Sequence, residues 1–291
     1  MKVGIVGLGL IGGSFAKAIK KRTDHIVCGA DINTEVLSRA KAEKAVDFEL
    51  NDGNLAKCDI LLIALYPAAI TDYLKEKAEL FNKNGYVIDL CGVKRQICAV
   101  GESLAQKHGF KFIGGHPMAG REVFGYDAAI ETLFDGASMI LVPSGFSKGA
   151  AEMTVPDEIK EFFLSVGFSH IQISTASYHD EVIACTSQLA HVVSSAYVKT
   201  PQAPDFYGFS AGSFKDMTRV AYMNENVWTE LFLNNADMLK AEIDSLVKEL
   251  NKYSDALERH DAEEIKRLIR EGTRLKIELN EKEELRKSGR L

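Results

Sequence analysis

Continuous apolar runs alternate with amphipathic segments through the first 173 residues. The runs Lys2–Val6, 25–30, 60–65, 86–90, 111–113, 138–142 and His170–Ile173 predict strands. Several are unbroken in Val, Ile and Leu, the pattern of parallel strands covered on both faces. Between them, 11–21, 33–43, 68–81 and Arg95–His108 carry helical spacing. Strand and helix in repeated succession imply an α/β chain whose sheet is doubly wound and mostly parallel.

Beyond about residue 174 the strand signal stops. Segments 174–198, 213–223, 228–257 and 261–287 predict helices, with a loop rich in Gly, Ser, Pro and aromatics at 200–212. The expected division is therefore an α/β domain, 1–173, and an all-helical domain, 174–291. Leu231, Met238, Leu239, Ile243, Leu246 and Leu250 form an apolar stripe too long for a solitary surface helix, which predicts a homodimer.

Composition narrows the function classes. The 291 residues are 46% hydrophobic and 26% charged, with a formal net charge of -6, and no basic block precedes the extreme C-terminus. Nucleic acid is therefore not an expected partner. Five cysteines, none in a CxxC pair, argue against a disulfide scaffold and against a bound metal. The longest apolar run, 60–70, is too short to span a bilayer, and 182–198 carries too many polar groups. The glycine-spaced start lacks a small-residue cleavage site, which argues against a secretory leader. A soluble cytoplasmic protein with no membrane partner is expected.

The opening KVGIVGLGLIGGSFAKAI places Gly7, Gly9 and Gly12 in G-x-G-x-x-G between a predicted strand and a predicted helix. The first glycine permits a tight turn, the second lets backbone approach a pyrophosphate, and the third lets helix and strand pack closely. The helix N-terminus adds free N–H groups and a positive dipole. Asp31 lies 19 residues after Gly12, at the end of the second strand, where a carboxylate can accept both ribose hydroxyls. That carboxylate would repel a 2′-phosphate, so NAD rather than NADP is expected. Gly7, Gly9, Leu10, Ile11, Gly12 and Asp31 are the candidate cofactor contacts.

Three further clusters carry candidate chemistry. GGHPMAG, residues 114–120, sets His116 on a glycine- and proline-shaped loop at a strand end, as a proton acceptor near neutral pH. Ser187, Gln188, His191 and Ser195 recur at three- and four-residue spacing on an uncharged helix, which suits either a pocket wall or an oligomer interface. In GSFKDMTRVA, residues 212–221, Ser213 and Asp216 have capping-box spacing, and Lys215 and Arg219 fall near that helix start, suited to hold a carboxylate.

Taken in order, GxGxxG, GGHPMAG, SQLAH and SFKDMTR make the chain resemble the prephenate dehydrogenase (TyrA) family, which includes arogenate dehydrogenases, over nearly its whole length. The resemblance implies a Rossmann domain followed by a helical dimerisation domain. It also implies NAD-dependent oxidative decarboxylation of prephenate to 4-hydroxyphenylpyruvate in tyrosine biosynthesis. By the same resemblance His116 matches the catalytic histidine that bonds the ring 4-hydroxyl. Arg219 matches the arginine that holds a substrate carboxylate, and His191 a second pocket histidine. Glu122 and Lys215 match polar residues near the site, and Gln188 is expected among the substrate contacts. Two departures stand out: Gly92 occupies a place where many relatives carry serine, and Gln188 one where some carry histidine. The alternatives are an arogenate dehydrogenase and, from a different class, a non-catalytic NAD-sensing dimer. A 3-hydroxyacid dehydrogenase would need a lysine on the helix that here carries His191, and the segment 174–198 has none.

Overall fold

The computed structural model describes residues 1–144 and 154–287. Its contacts divide the chain into two units, Met1–Leu239 and Lys240–Leu291. The helices just after residue 174 thus fall in one unit with the sheet, and the division expected at 173/174 does not coincide with this one.

The first unit is built on β1 (Lys2–Val6), β2 (Ile26–Ala30), β3 (Phe48–Glu49), β4 (Ile60–Ile63), β5 (Tyr86–Asp89), β6 (Lys111–Pro117), β7 (Ser138–Pro143) and β8 (His170–Ile173). They join in the order 3-2-1-4-5-6-7-8. All neighbours are parallel except β6 and β7. Seven strands coincide with the apolar runs. The eighth, β3, is two exposed residues, too short to leave a hydrophobic pattern.

Successive strand residues point to opposite faces, and each face has its own core. Val3, Ile5, Leu62 and Ile88 pack on one side with Phe15, Ile19 and Phe163. Val6, Leu61, Ile63 and Val87 pack on the other with Ile70, Leu74 and Ile97. The covering helices are α1 (Leu10–Arg22), α2 (Thr34–Ala42), α3 (Pro67–Lys77), α4 (Arg95–His108) and α5 (Asp157–Ser165). Of these, α5 has no counterpart among the expected helices.

Register aligns the strand ends. Val6, Ala30, Ile63, Asp89 and Gly114 form one row across β2, β1, β4, β5 and β6. Gly7, Asp31, Gly92 and His116 all lie just past that row, at the carboxyl edge where open α/β sheets bind ligands.

After β8 the chain continues through α6 (Ala176–Ile183), a π-helical turn (Ala184–Leu189), α7 (Ala190–Tyr197), α8 (Ser213–Thr218) and α9 (Glu225–Asn234). The segment expected as one helix over 228–257 is broken at Asn235, after which α10 (Ala236–Glu258) begins. The break has a local cause. Asn235 is fully buried, leaves helical geometry, and bonds the Asp180 carbonyl and the Gln188 amide oxygen, each at 2.8 Å.

The second unit comprises α10 from Lys240 onward and α11 (Ala262–Lys287). The turn between them uses His260 in the left-handed region, and the Asp261 carboxylate accepts the Glu264 N–H at 3.0 Å to cap α11. No helix among the described residues is long and apolar enough to cross a membrane.

Candidate active site

The glycine turn has the geometry that a dinucleotide needs. Gly7 has φ +86°, and α1 opens at Gly9 with no side-chain cap. A Cβ on Gly9 would meet nothing within 4 Å, so the backbone there faces open space. The Asp31 carboxylate is held by the Leu8 N–H at 2.7 Å and the Asn33 N–H at 2.8 Å. Each oxygen keeps lone-pair capacity for a ribose hydroxyl. Uncapped helix N–H groups, an open approach at Gly9 and a fixed acceptor at Asp31 fit a bound dinucleotide.

His116 does not sit on a loop, as expected from its glycines and proline. It extends β6, opposite Ile140 of β7, because the antiparallel pairing carries the strand through Pro117. Its Nδ1 lies 2.9 Å from Nε2 of His179, whose Nδ1 lies 2.7 Å from Oδ1 of Asp180. Burial, His179 and the Lys94 ammonium together push the His116 pKa well below the ordinary histidine value. Lys94 is fully buried and paired with the equally buried Asp89. His179 and Asp180, both buried, belong to none of the sequence motifs.

Asp180 is also an anchor. Its carboxylate accepts the Lys94 and Arg95 N–H groups at 2.8 and 2.9 Å, at the start of α4. Arg95 reaches in turn to Asn235 at 2.9 Å and to Asp237. Burial raises the Asp180 pKa, but the bonds from His179, Arg95 and Lys94 outweigh it and hold the group below its usual range.

Gln188, expected among the substrate contacts, faces the interior. It is 1% exposed, donates to the Leu231 carbonyl at 3.1 Å and accepts from Asn235 at 2.8 Å. The π-helical turn at 184–189 shifts its side chain into the interior, out of the helical register assumed for a shared polar face. His191 lies one turn on. Its Nδ1 donates to the Ser187 carbonyl at 2.8 Å, and its ring packs on Trp228 with centroids 3.8 Å apart. Burial lowers its pKa, against the Ser187 bond, with Arg219 lowering it further and Glu122 raising it.

Arg219 pairs with Glu122, so the loop after β6 meets the chain after α8. The helical placement differs from expectation. Ser213 is the first residue of α8 rather than its cap, no side chain caps the helix, and Arg219 falls at its C-terminal end. The capping box is therefore not formed, and Lys215 is exposed on the short helix. At Gly92, a Cβ would lie 3.4 Å from Leu231 Cδ2 and 3.7 Å from His116 Nε2. Beyond the glycine turn and Asp31, the residues that could do chemistry thus gather in two groups. One is His116 with Gly92 and the His179–Asp180 pair; the other is His191 with Arg219 and Glu122.

The sequence profile described as "Prephenate dehydrogenase, nucleotide-binding domain" matches residues 15–169. The profile described as "Prephenate dehydrogenase, dimerization domain" matches 175–271. A prephenate dehydrogenase of Lactococcus lactis is 29% identical over 284 residues, covering 94% of this chain and 76% of that protein. The crystal structure of prephenate dehydrogenase from A. aeolicus in complex with hydroxyphenyl propionate and NAD+ superposes with TM-score 0.81 at 26% identity, covering 96% of this chain and 98% of that one. Synechocystis arogenate dehydrogenase gives 0.77 at 26% identity, with 95% and 100% covered. With both profiles together spanning most of its length, the chain belongs to the prephenate dehydrogenase family.

Proposed function

We propose that this protein uses NAD to oxidise prephenate with loss of carbon dioxide, forming 4-hydroxyphenylpyruvate in tyrosine biosynthesis. The observation that carries the reading is His116, kept neutral at the carboxyl edge of the sheet just past the row that ends at Gly114. A neutral imidazole can take the proton of the ring 4-hydroxyl as hydride leaves the same carbon. When bound, NAD supplies the hydride acceptor. Loss of the ring carboxylate as carbon dioxide then leaves its bonding pair in the ring, which becomes aromatic, and His116 returns the proton to the phenolate oxygen.

Gly7, Gly9, Leu10, Ile11, Gly12 and Asp31 hold the dinucleotide, and the Asp31 carboxylate selects against a 2′-phosphate. Arg219 binds a substrate carboxylate once its pairing with Glu122 is exchanged for it, with His191 and Lys215 nearby. Orientation by that contact aligns the reacting carbon for hydride transfer. The division of labour is a nucleotide-binding part, 1–173, and a helical dimerisation part, 174–291. Exposed Leu250, Leu257, Ile269 and Leu279 support a homodimer. The setting is cytoplasmic, without nucleic-acid or membrane partners.

The test is NADH formation by the purified protein with prephenate and with arogenate, side by side, and with carbon dioxide release followed. Turnover of prephenate is expected. Preference for arogenate would replace the substrate, and NAD binding without turnover of either would return the protein to a sensing role.

A further inference from the structure

We propose that His179 and Asp180 are positioning residues that hold His116 in one tautomer, with the proton on Nδ1 and the lone pair on Nε2. The inference rests on the reading of His116 as the base.

The deepest group sets the order. Asp180 is fully buried and ionised, and a carboxylate accepts hydrogen bonds but cannot donate them. Its Oδ1, 2.7 Å from His179 Nδ1, therefore requires the proton on that nitrogen. Burial keeps His179 neutral, so its Nε2 carries a lone pair. That lone pair lies 2.9 Å from His116 Nδ1, which must donate. A neutral His116 is then left with an acceptor at Nε2, the nitrogen 3.7 Å from where a Cβ on Gly92 would lie.

The consequence is chemical. A ring free to tautomerise would spend part of its time with Nε2 protonated and unable to accept the hydroxyl proton. The pair removes that state before substrate arrives. When Nε2 takes the proton, the positive charge that develops on His116 is answered through two hydrogen bonds by the Asp180 carboxylate. No motif spacing reveals this, because His179 lies 63 residues from His116.

The test combines a spectroscopic and a kinetic readout. Nitrogen-15 NMR of the histidine rings in the full-length protein, with His116 identified by the signal lost in His116→Gln, reads the tautomer without substrate. The wild type is expected to carry its proton on Nδ1, and His179→Phe to shift it wholly or partly to Nε2. In steady state, His179→Phe should lower kcat about 10²-fold, within the range lost with a general base, while KM for prephenate and the Kd of NAD stay within about twofold. An Nε2-protonated wild type overturns the proposal. So does a His179→Phe variant that keeps the wild-type tautomer, whatever its kcat, since the loss would then be merely structural. Should His179→Phe fail to fold, the wild-type spectrum alone decides. Absence of turnover with any substrate would count against the assigned function and leave the tautomer measurement intact.

Discussion

Gly12 packs so closely on Gly7 that a Cβ on residue 12 would overlap the Gly7 carbonyl oxygen, whereas one on residue 9 would meet nothing within 4 Å. The glycines at 12 and 9 therefore serve different ends, one the packing of helix on strand and the other access for a ligand. Gly12→Ala is expected to lower Tm by several degrees, because backbone must move. Gly9→Ala should leave Tm unchanged and weaken NAD binding at least tenfold. Calorimetric melting and NAD titration on both variants check this, and equal Tm losses would refute it.

His116→Asn removes the proton acceptor while keeping a small polar side chain. A fall in kcat of roughly 10²–10⁴-fold is expected, the usual contribution of a general base. A kcat close to wild type would exclude the role.

Arg219 is 67% exposed and paired with Glu122, an arrangement worth little to stability. Arg219→Ala should therefore leave Tm nearly unchanged. If it meets a substrate carboxylate, the lost charge-assisted bond is worth about 1.5–3 kcal/mol, or roughly 10- to 100-fold in KM for prephenate. NAD affinity should not move.

Acid should act on stability before it acts on the base. His116, His179 and His191 all have folded pKa values below the ordinary histidine value. Below about pH 6.5 the unfolded chain binds protons that the native state refuses, so stability falls as pH drops from there toward the depressed values. Asp180, lowered in the fold, adds a further loss below the usual carboxylate range. Denaturant midpoints should decline from neutral pH to about pH 5, while the acid limb of kcat/KM lies below the ordinary histidine value. A midpoint that rises on acidification would contradict the assignment.

Gly92 leaves space beside the base. A Cβ there would have its nearest atoms at 3.4 and 3.7 Å, so serine fits in ordinary contact. Gly92→Ser should fold with stability within about 1 kcal/mol of wild type. A hydroxyl able to bond Nε2 or the substrate should change kcat/KM by about two- to tenfold, the scale of one net hydrogen bond. Unaltered kinetics would mean that the hydroxyl points elsewhere.

The cofactor half of the site is legible in the sequence because its parts are local. The turn at Gly7, the open approach at Gly9 and the acid at Asp31 follow from the order of strand, turn, helix and strand. His116 is legible as a residue but not as a position, since the pairing of Gly115 and His116 with Leu141 and Ile140 makes strand of what reads as loop. Gln188 departs from its expected place for a similar reason. Regular helical spacing does not reveal a π-helical turn, and that turn buries the amide against Leu231 and Asn235.

Hydrophobic periodicity and glycine spacing determined the α/β sheet, its strands and the dinucleotide turn, because each depends on residues close together along the chain. Tertiary structure alone decided that Asp180 faces the start of α4, that Asn235 divides a long helix, and that His179 stands behind His116. Such contacts depend on strand register and on how distant helices pack. A buried carboxylate or imidazole is tolerated only where that packing supplies hydrogen-bond partners, and nothing in the spacing of the residues names them in advance.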